Sequence, residues 1–159
     1  VIVLEQNGIR FNYRVAGVAI KKAQVLLCYT TGGDLWYLPG GRVELGEESR
    51  AALRREMQEK LGLEVEVGRM VWVSENFFEQ GGKTVHELGL YYLMEVPLEP
   101  SSQPLTLGSL TFAWFPLGQL HGLNLQPEFL KTTLKALPVR AKHIVRNAFS
   151  AEPPTAEPA

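Results

Sequence analysis

The segment from Gly40 to Leu63, GGRVELGEESRAALRREMQEKLGL, narrows the folding options more than any other part of the chain. It opens on Pro39-Gly40-Gly41, where regular structure is expected to break before a helix begins. From Glu48 to Leu61 the apolar residues Leu53, Met57 and Leu61 recur every four positions, which predicts a helix with one apolar stripe. Gly62 is placed to end that helix. A helix with one apolar stripe has to lie on another element, so this segment commits the chain to a packed, layered domain. At about 100° per residue, Glu56 and Glu59 fall on a flank beside the stripe, with Glu48 and Arg55 continuing it. Lys60 follows Glu56 by four residues, the orientation that favours a helical ion pair worth about 0.2–0.5 kcal/mol.

The remainder reads mostly as strands. VIVLEQNGIRFNYRVAGVAI suits a strand, a tight turn at Asn7-Gly8 and a second strand. VAGVAI and QVLLCY, joined at Lys21-Lys22-Ala23, predict another strand pair. TTGGD at 30–34 is a turn before a short strand ending in LWYLP. VEVGRMVWVSENFF and TVHELGLYYLMEV predict an antiparallel pair around EQGGK, and TFAWFPL predicts a strand closed by Pro116. Phe129, Leu130, Leu134 and Leu137 share a face, which predicts a second helix over roughly 126–137. The basic residues from Lys131 to Arg146 read as a solvated face, with phosphate contact the lesser alternative. Strands on both sides of a central helix indicate a mixed α/β domain over 1–148, and AEPPTAEPA predicts a disordered tail over 149–159.

Composition sets limits on partners. Sixteen basic and seventeen acidic residues give a net charge of −1, so the chain as a whole lacks the electrostatic footprint of a nucleic-acid binder. No apolar run approaches the ~18 residues of a membrane span, and the first residues lack a signal-peptide layout. The expected location is cytoplasmic, without membrane or nucleic-acid partners. The single cysteine, Cys28, sits in the apolar run VLLCY and reads as a buried strand residue. A homodimer is a reasonable expectation for a small α/β domain.

Carboxylates grouped on a rigid helix beside exposed backbone carbonyls are what hard cations such as Mg²⁺ or Mn²⁺ require. A Glu- and Arg-rich helix is more often only a solvated surface, but the spacing of the whole segment speaks for chemistry. Gly41, Glu47, Arg55, Glu56, Met57, Glu59, Gly62 and Leu63 occupy the positions of a long signature, and the segment closely resembles that of the Nudix hydrolase family. The flanking WYLPGG and AWFPL also look like this family, so the resemblance covers most of residues 11–137.

That resemblance implies an α/β/α sandwich around a mixed β-sheet and Mg²⁺- or Mn²⁺-dependent hydrolysis of a nucleoside diphosphate linked to another group. By position, Glu56 would be a metal ligand or general base, Glu59 a second ligand and the Gly40 carbonyl a third. Arg55 and Glu47 would brace the loop against the helix. Glu87 is the favoured further carboxylate from outside the segment, with Glu75 the other candidate. Phe77, Phe78 and His86 form the expected substrate pocket, although His86 lies on an apolar face where a structural histidine is the plainer reading. Trp36, Trp72 and Trp114 could also stack on a base, but their strand positions read as core.

One residue departs from the signature. Lys60 stands where the family usually carries a carboxylate, and an ammonium cannot ligate a metal. Three outcomes are open: fewer or weaker metals with reduced hydrolysis, a module that binds a nucleotide-like ligand without turnover, or a lysine that snorkels away and changes little. The first is the expectation.

Overall fold

The computed structural model describes residues 2–147 and 155–158. The opening hairpin pairs β1 (Val3–Gln6) with β2 (Ile9–Val18) through Asn7 and Gly8, whose φ values are 52° and 77°. Both central residues of this two-residue turn are left-handed, as the twist of the flanking strands demands. The run VAGVAI is divided between two sheets. Its first part ends β2, and after Ala19 the chain enters β3 (Ile20–Lys21), which pairs with β4 (Gln24–Thr30).

Two short segments differ from expectation. LWYLP forms no strand; Trp36 and Tyr37 make single bridges, to Leu125 and Cys28. The glycine pair does not interrupt structure either. Gly40–Arg42 is β5, antiparallel to β2 at Val15 and Ala16. Missing side chains are what admit it there, because a Cβ on Gly40 would collide with the carbonyl oxygen of Val15.

Helix α1 runs Ser49–Leu61. Glu48 caps it rather than starting it, its carboxylate accepting from the amides of Arg50 and Ala51 at 3.1 Å each. Gly62 ends it with φ 67°. Then β6 (Glu66–Gln80) and β7 (Lys83–Glu95) form the long hairpin around Gly81-Gly82, and β8 (Leu105–Leu107) pairs with β9 (Leu110–Pro116).

Past β9 the chain differs more from expectation. Residues Leu117–Gly122 form an unanticipated 3₁₀ turn, and the second helix is only one turn, α2 (Leu130–Thr133). Its apolar face is as read, with Leu130 and Leu134 buried. The basic run also contains a strand, β10 (Lys142–Asn147), lying parallel to β6. Most of the expected disordered tail, 149–154 and 159, is outside the described residues. The rest, β11 (Thr155–Pro158), runs antiparallel along β10.

The strands make a mixed seven-stranded sheet, β1-β2-β7-β6-β10-β11 with β5 on β2, and a four-stranded sheet, β3-β4-β9-β8. Alternate residues of β2, β4 and β7 enter opposite cores. Val15, Leu26, Cys28 and Tyr92 pack with Leu53, Met57 and Leu61 of α1. Ala16, Val25, Leu27, Trp72 and Tyr91 pack on the other side with Leu120, Leu130 and Leu134. This is the expected α/β/α sandwich, with both faces of β4 covered, which is why VLLCY is apolar throughout. Burial pushes the Cys28 thiol up to about 11, consistent with a packing role. Among the described residues no helix is long and apolar enough to cross a membrane.

Candidate active site

Loop and helix of the 40–63 segment are tied together by one guanidinium. Arg55 donates from Nε to Glu47 Oε2 at 2.8 Å and from Nη2 to Glu47 Oε1 at 3.0 Å. The same Nη2 reaches the carbonyl of Arg42 at 3.1 Å, while Nη1 bonds Glu56 Oε1 at 3.1 Å and Glu59 Oε2 at 3.2 Å. The planar fork lets one residue hold a carboxylate bidentately and still reach two others. Glu47 also accepts the Glu44 amide at 3.0 Å. Its carboxyl is held below the usual value of 4.5, chiefly by the Arg55 hydrogen bond, and the Arg55 pKa is raised in turn.

This pair has a pH signature. A depressed folded-state pKa gives stability that is present above the unfolded value and is lost as pH falls through the folded one. Thermal midpoints are therefore expected to hold from neutrality to about pH 4.5 and to fall below it. Melting curves across pH 3–6 check this, and the fall should be shallower in Arg55→Met, which lacks the partner.

Glu56 is buried, with its carboxylate under Gly41 so closely that a Cβ there would land on it. A buried carboxylate needs compensating partners, and it has two. Arg55 takes Oε1, and the Lys60 ammonium takes Oε2 at 3.1 Å. Lys60 does not snorkel away. Its Nζ also donates to the Gly40 carbonyl at 2.5 Å. Gly40 and Glu56, two of the expected metal ligands, thus converge on one cation, and that cation is the lysine.

The donor set, as arranged, does not fit a divalent ion held by this segment. Both Glu56 oxygens and the Gly40 oxygen bond basic side chains. Glu59 is mostly exposed and is held by Arg55. Among the described residues no group of three or more His, Cys, Asp or Glu side chains is placed to hold a metal. Nor does Glu87 join them. It pairs in register with Asn12, whereas Gly40 pairs with Ala16, a separation of about 13 Å along β2. Glu75, the other outside candidate, bonds His143 at 2.7 Å.

Glu87 instead lines a cavity of about 630 Å³ with Phe78, Tyr37, Arg14, Arg42 and Arg146. The expected grouping of Phe77, Phe78 and His86 is divided. Successive strand residues face opposite ways, so Phe78 lines the cavity, while Phe77 stacks on His86 at 4.4 Å on the other face. His86 also meets Phe11 edge-on, the structural arrangement its apolar face suggested. Trp72 and Trp114 are core.

Sequence reasoning passed over Asn12, Arg14 and Arg42, and read Arg146 chiefly as part of a solvated basic face, whereas it lines the cavity. The signal for the first two was present in FNYRVAGV, where polar residues alternate with apolar ones on a strand covered on both faces. Asn12 is 5% exposed, and its Oδ1 has no hydrogen-bond partner. Arg14 and Arg42 are direct cross-strand partners, a like-charge juxtaposition that is unfavourable by itself. Arg14 is steadied by the Leu38 carbonyl at 2.9 Å and by the Tyr37 ring, 5.2 Å from its guanidinium.

Comparison with known proteins places this geometry. Over 76 residues the chain is 34% identical to a CTP pyrophosphohydrolase of Escherichia coli, covering 45% of this chain and 55% of that protein. It is 26% identical over 134 residues to an RNA pyrophosphohydrolase of Haemophilus influenzae, covering 80% and 62%. The chain therefore spans less than two thirds of either relative. Among solved structures, a MutT protein from Bacillus halodurans superposes with a TM-score of 0.64 at 17% identity, covering 93% of this chain and 99% of that one. The E. coli ORF135 protein gives 0.53 at 26% identity, covering 79% and 88%. The NUDIX domain model matches residues 11–137, and with most of its length inside that match the chain belongs to the Nudix family.

Proposed function

We propose that the chain cleaves the pyrophosphate bond of a nucleoside diphosphate linked to another moiety, at a reduced rate. The observation that carries this reading is the facing pair Arg14 and Arg42 at the cavity. Two guanidiniums on adjacent strands repel each other unless an anion lies between them, and a diphosphate supplies one. Arg146 adds a third cation to the lining, and Phe78 and Tyr37 offer faces on which a base can stack. Relatives named for pyrophosphohydrolysis of CTP and RNA support the reaction class.

In the reaction, water oxygen bonds to one phosphorus as the bridging P–O bond breaks, giving two phosphate products. The chain's part is to fix the diphosphate with its arginines and to hold the loop that carries Arg42 rigid through Glu47–Arg55. Both oxygens of Glu56 are committed to basic side chains, so neither is free to position an attacking water, and this is the ground for the reduced rate. Mg²⁺ or Mn²⁺ is the cofactor reading, carried in on the substrate's own phosphates and not on a carboxylate cage.

A second reading, a module that binds such a ligand without turnover, is favoured by the Lys60 contacts to Gly40 and Glu56. A hydrolysis screen of nucleoside diphosphate derivatives with Mg²⁺ and Mn²⁺ separates the two when run beside Lys60→Glu and Arg42→Ala. Slow turnover by the natural chain, faster in Lys60→Glu, is the expected outcome, with nucleotide affinity reduced roughly tenfold in Arg42→Ala. Calorimetric binding without turnover in the natural chain selects the second reading. Inactivity of both the natural chain and Lys60→Glu removes the hydrolase reading.

A further inference from the structure

We propose that Lys60 is a tethered counter-cation that holds the position of a protein-bound divalent ion, so that the Gly40–Leu63 segment keeps its form without metal. Two contacts from different parts of the chain support this. One joins Nζ to Glu56 Oε2 at 3.1 Å, a neighbour along the same helix. The other joins Nζ to the Gly40 carbonyl at 2.5 Å, twenty residues back on β5. An i,i+4 pair alone is a common surface feature of small consequence. The second contact makes the lysine a bridge between a strand and a helix.

The need for a cation at this point is visible in the burial. Glu56 has a side chain only 11% exposed, and its carboxylate sits against Gly41, where a Cβ would displace it. The Gly40 oxygen points at the same place. A carboxylate and a carbonyl brought together in a confined space repel unless something positive lies between them. A divalent ion can supply that charge only at its own solution concentration, and it dissociates. An ammonium on the same chain cannot leave. Its strong hydration and three donors suit a spot where a carbonyl and a carboxylate converge from different directions. The remaining oxygen of Glu56 belongs to Arg55, so the carboxylate is neutralised from both sides by the protein itself.

The inference concerns what holds the segment together and does not depend on hydrolysis. Its test therefore contains no nucleotide. Purified natural chain, Lys60→Glu, Lys60→Met and Lys60→Gln are titrated with Mn²⁺, following free Mn²⁺ by electron paramagnetic resonance. They are also melted in EDTA and in millimolar Mn²⁺. The natural chain should melt at the same temperature in both and show no saturable Mn²⁺ binding below about millimolar. Lys60→Glu should melt lower in EDTA, recover in Mn²⁺, and bind Mn²⁺ at least tenfold more tightly. Lys60→Met and Lys60→Gln keep the test decisive if the glutamate variant does not fold. Both should lose thermal stability in EDTA and regain part of it with Mn²⁺. Sub-millimolar Mn²⁺ binding by the natural chain with a raised melting temperature would overturn the proposal. So would Met and Gln variants that melt like the natural chain in EDTA and ignore Mn²⁺.

Discussion

Gly40→Ala should lower the thermal midpoint by roughly 6–12 °C, the shift that about 3 kcal/mol produces in a chain of this size. The new Cβ would meet the Val15 carbonyl oxygen, and it would lie 2.7 Å from Ala16 Cα and 2.9 Å from Val15 C. All three atoms are backbone of a central strand, so no rotamer change relieves the clash. The strand β5 must lift from β2, and in lifting it carries the Gly40 carbonyl away from Lys60. Gly41→Ala is the informative companion. Its Cβ would strike the Glu56 carboxylate, a side chain that can turn aside. Stability should fall less than in Gly40→Ala, while nucleotide turnover should drop most, because the carboxylate is displaced from the loop. Differential scanning calorimetry and a turnover assay on both variants check the pair. A Gly40→Ala midpoint within about 2 °C of the natural chain would show that the β2–β5 approach is looser than described.

Arg55→Met should cost about 2–4 kcal/mol and abolish turnover. The range lies below that for breaking a fully buried ion pair because Arg55 is 26% exposed. Five donor contacts disappear together, two to Glu47 and one each to Glu56, Glu59 and the Arg42 carbonyl. What remains is a loop carboxylate without its brace and a buried one held by Lys60 alone. Arg55→Lys should recover only a minor part, since one ammonium cannot span Glu47 bidentately and still reach Glu56 and the backbone. Urea unfolding with the slope monitored is the measurement. An unchanged midpoint in Arg55→Met would mean that the five contacts are individually and jointly weak.

How much of this was legible before the structure depends on how local each signal is. The helix, its glycine end and the hairpins at Asn7-Gly8 and Gly81-Gly82 were readable because turn chemistry and periodicity act over a few residues. The strand β10 was not. KHIVRN has one buried residue, Ile144, and only Val145 beside it is apolar. What makes it a strand is a parallel partner seventy residues earlier, which no local pattern encodes. The grouping of Phe77 with Phe78 failed because adjacency in sequence means opposite faces on a strand. Lys60 was only half legible. Its pairing with Glu56 follows from helical spacing, but its contact with Gly40 depends on β5 pairing with β2, a tertiary fact. Glu87 reached the site region, but on the cavity side of the sheet and away from the helix carboxylates.

The parallel pairing of β10 with β6 has a consequence for how this protein is made. The family match stops at residue 137, yet Trp72–Phe77 of β6 has its outer neighbour only in 142–147. Until those residues leave the ribosome, a stretch containing Trp72, Val73 and Phe77 presents a bare hydrogen-bonding edge, the kind of surface on which nascent chains stick to one another. A chain cut at the family boundary would keep that edge open permanently. The unit that must be synthesised before the molecule is safe from its neighbours is therefore longer than the unit that identifies its ancestry.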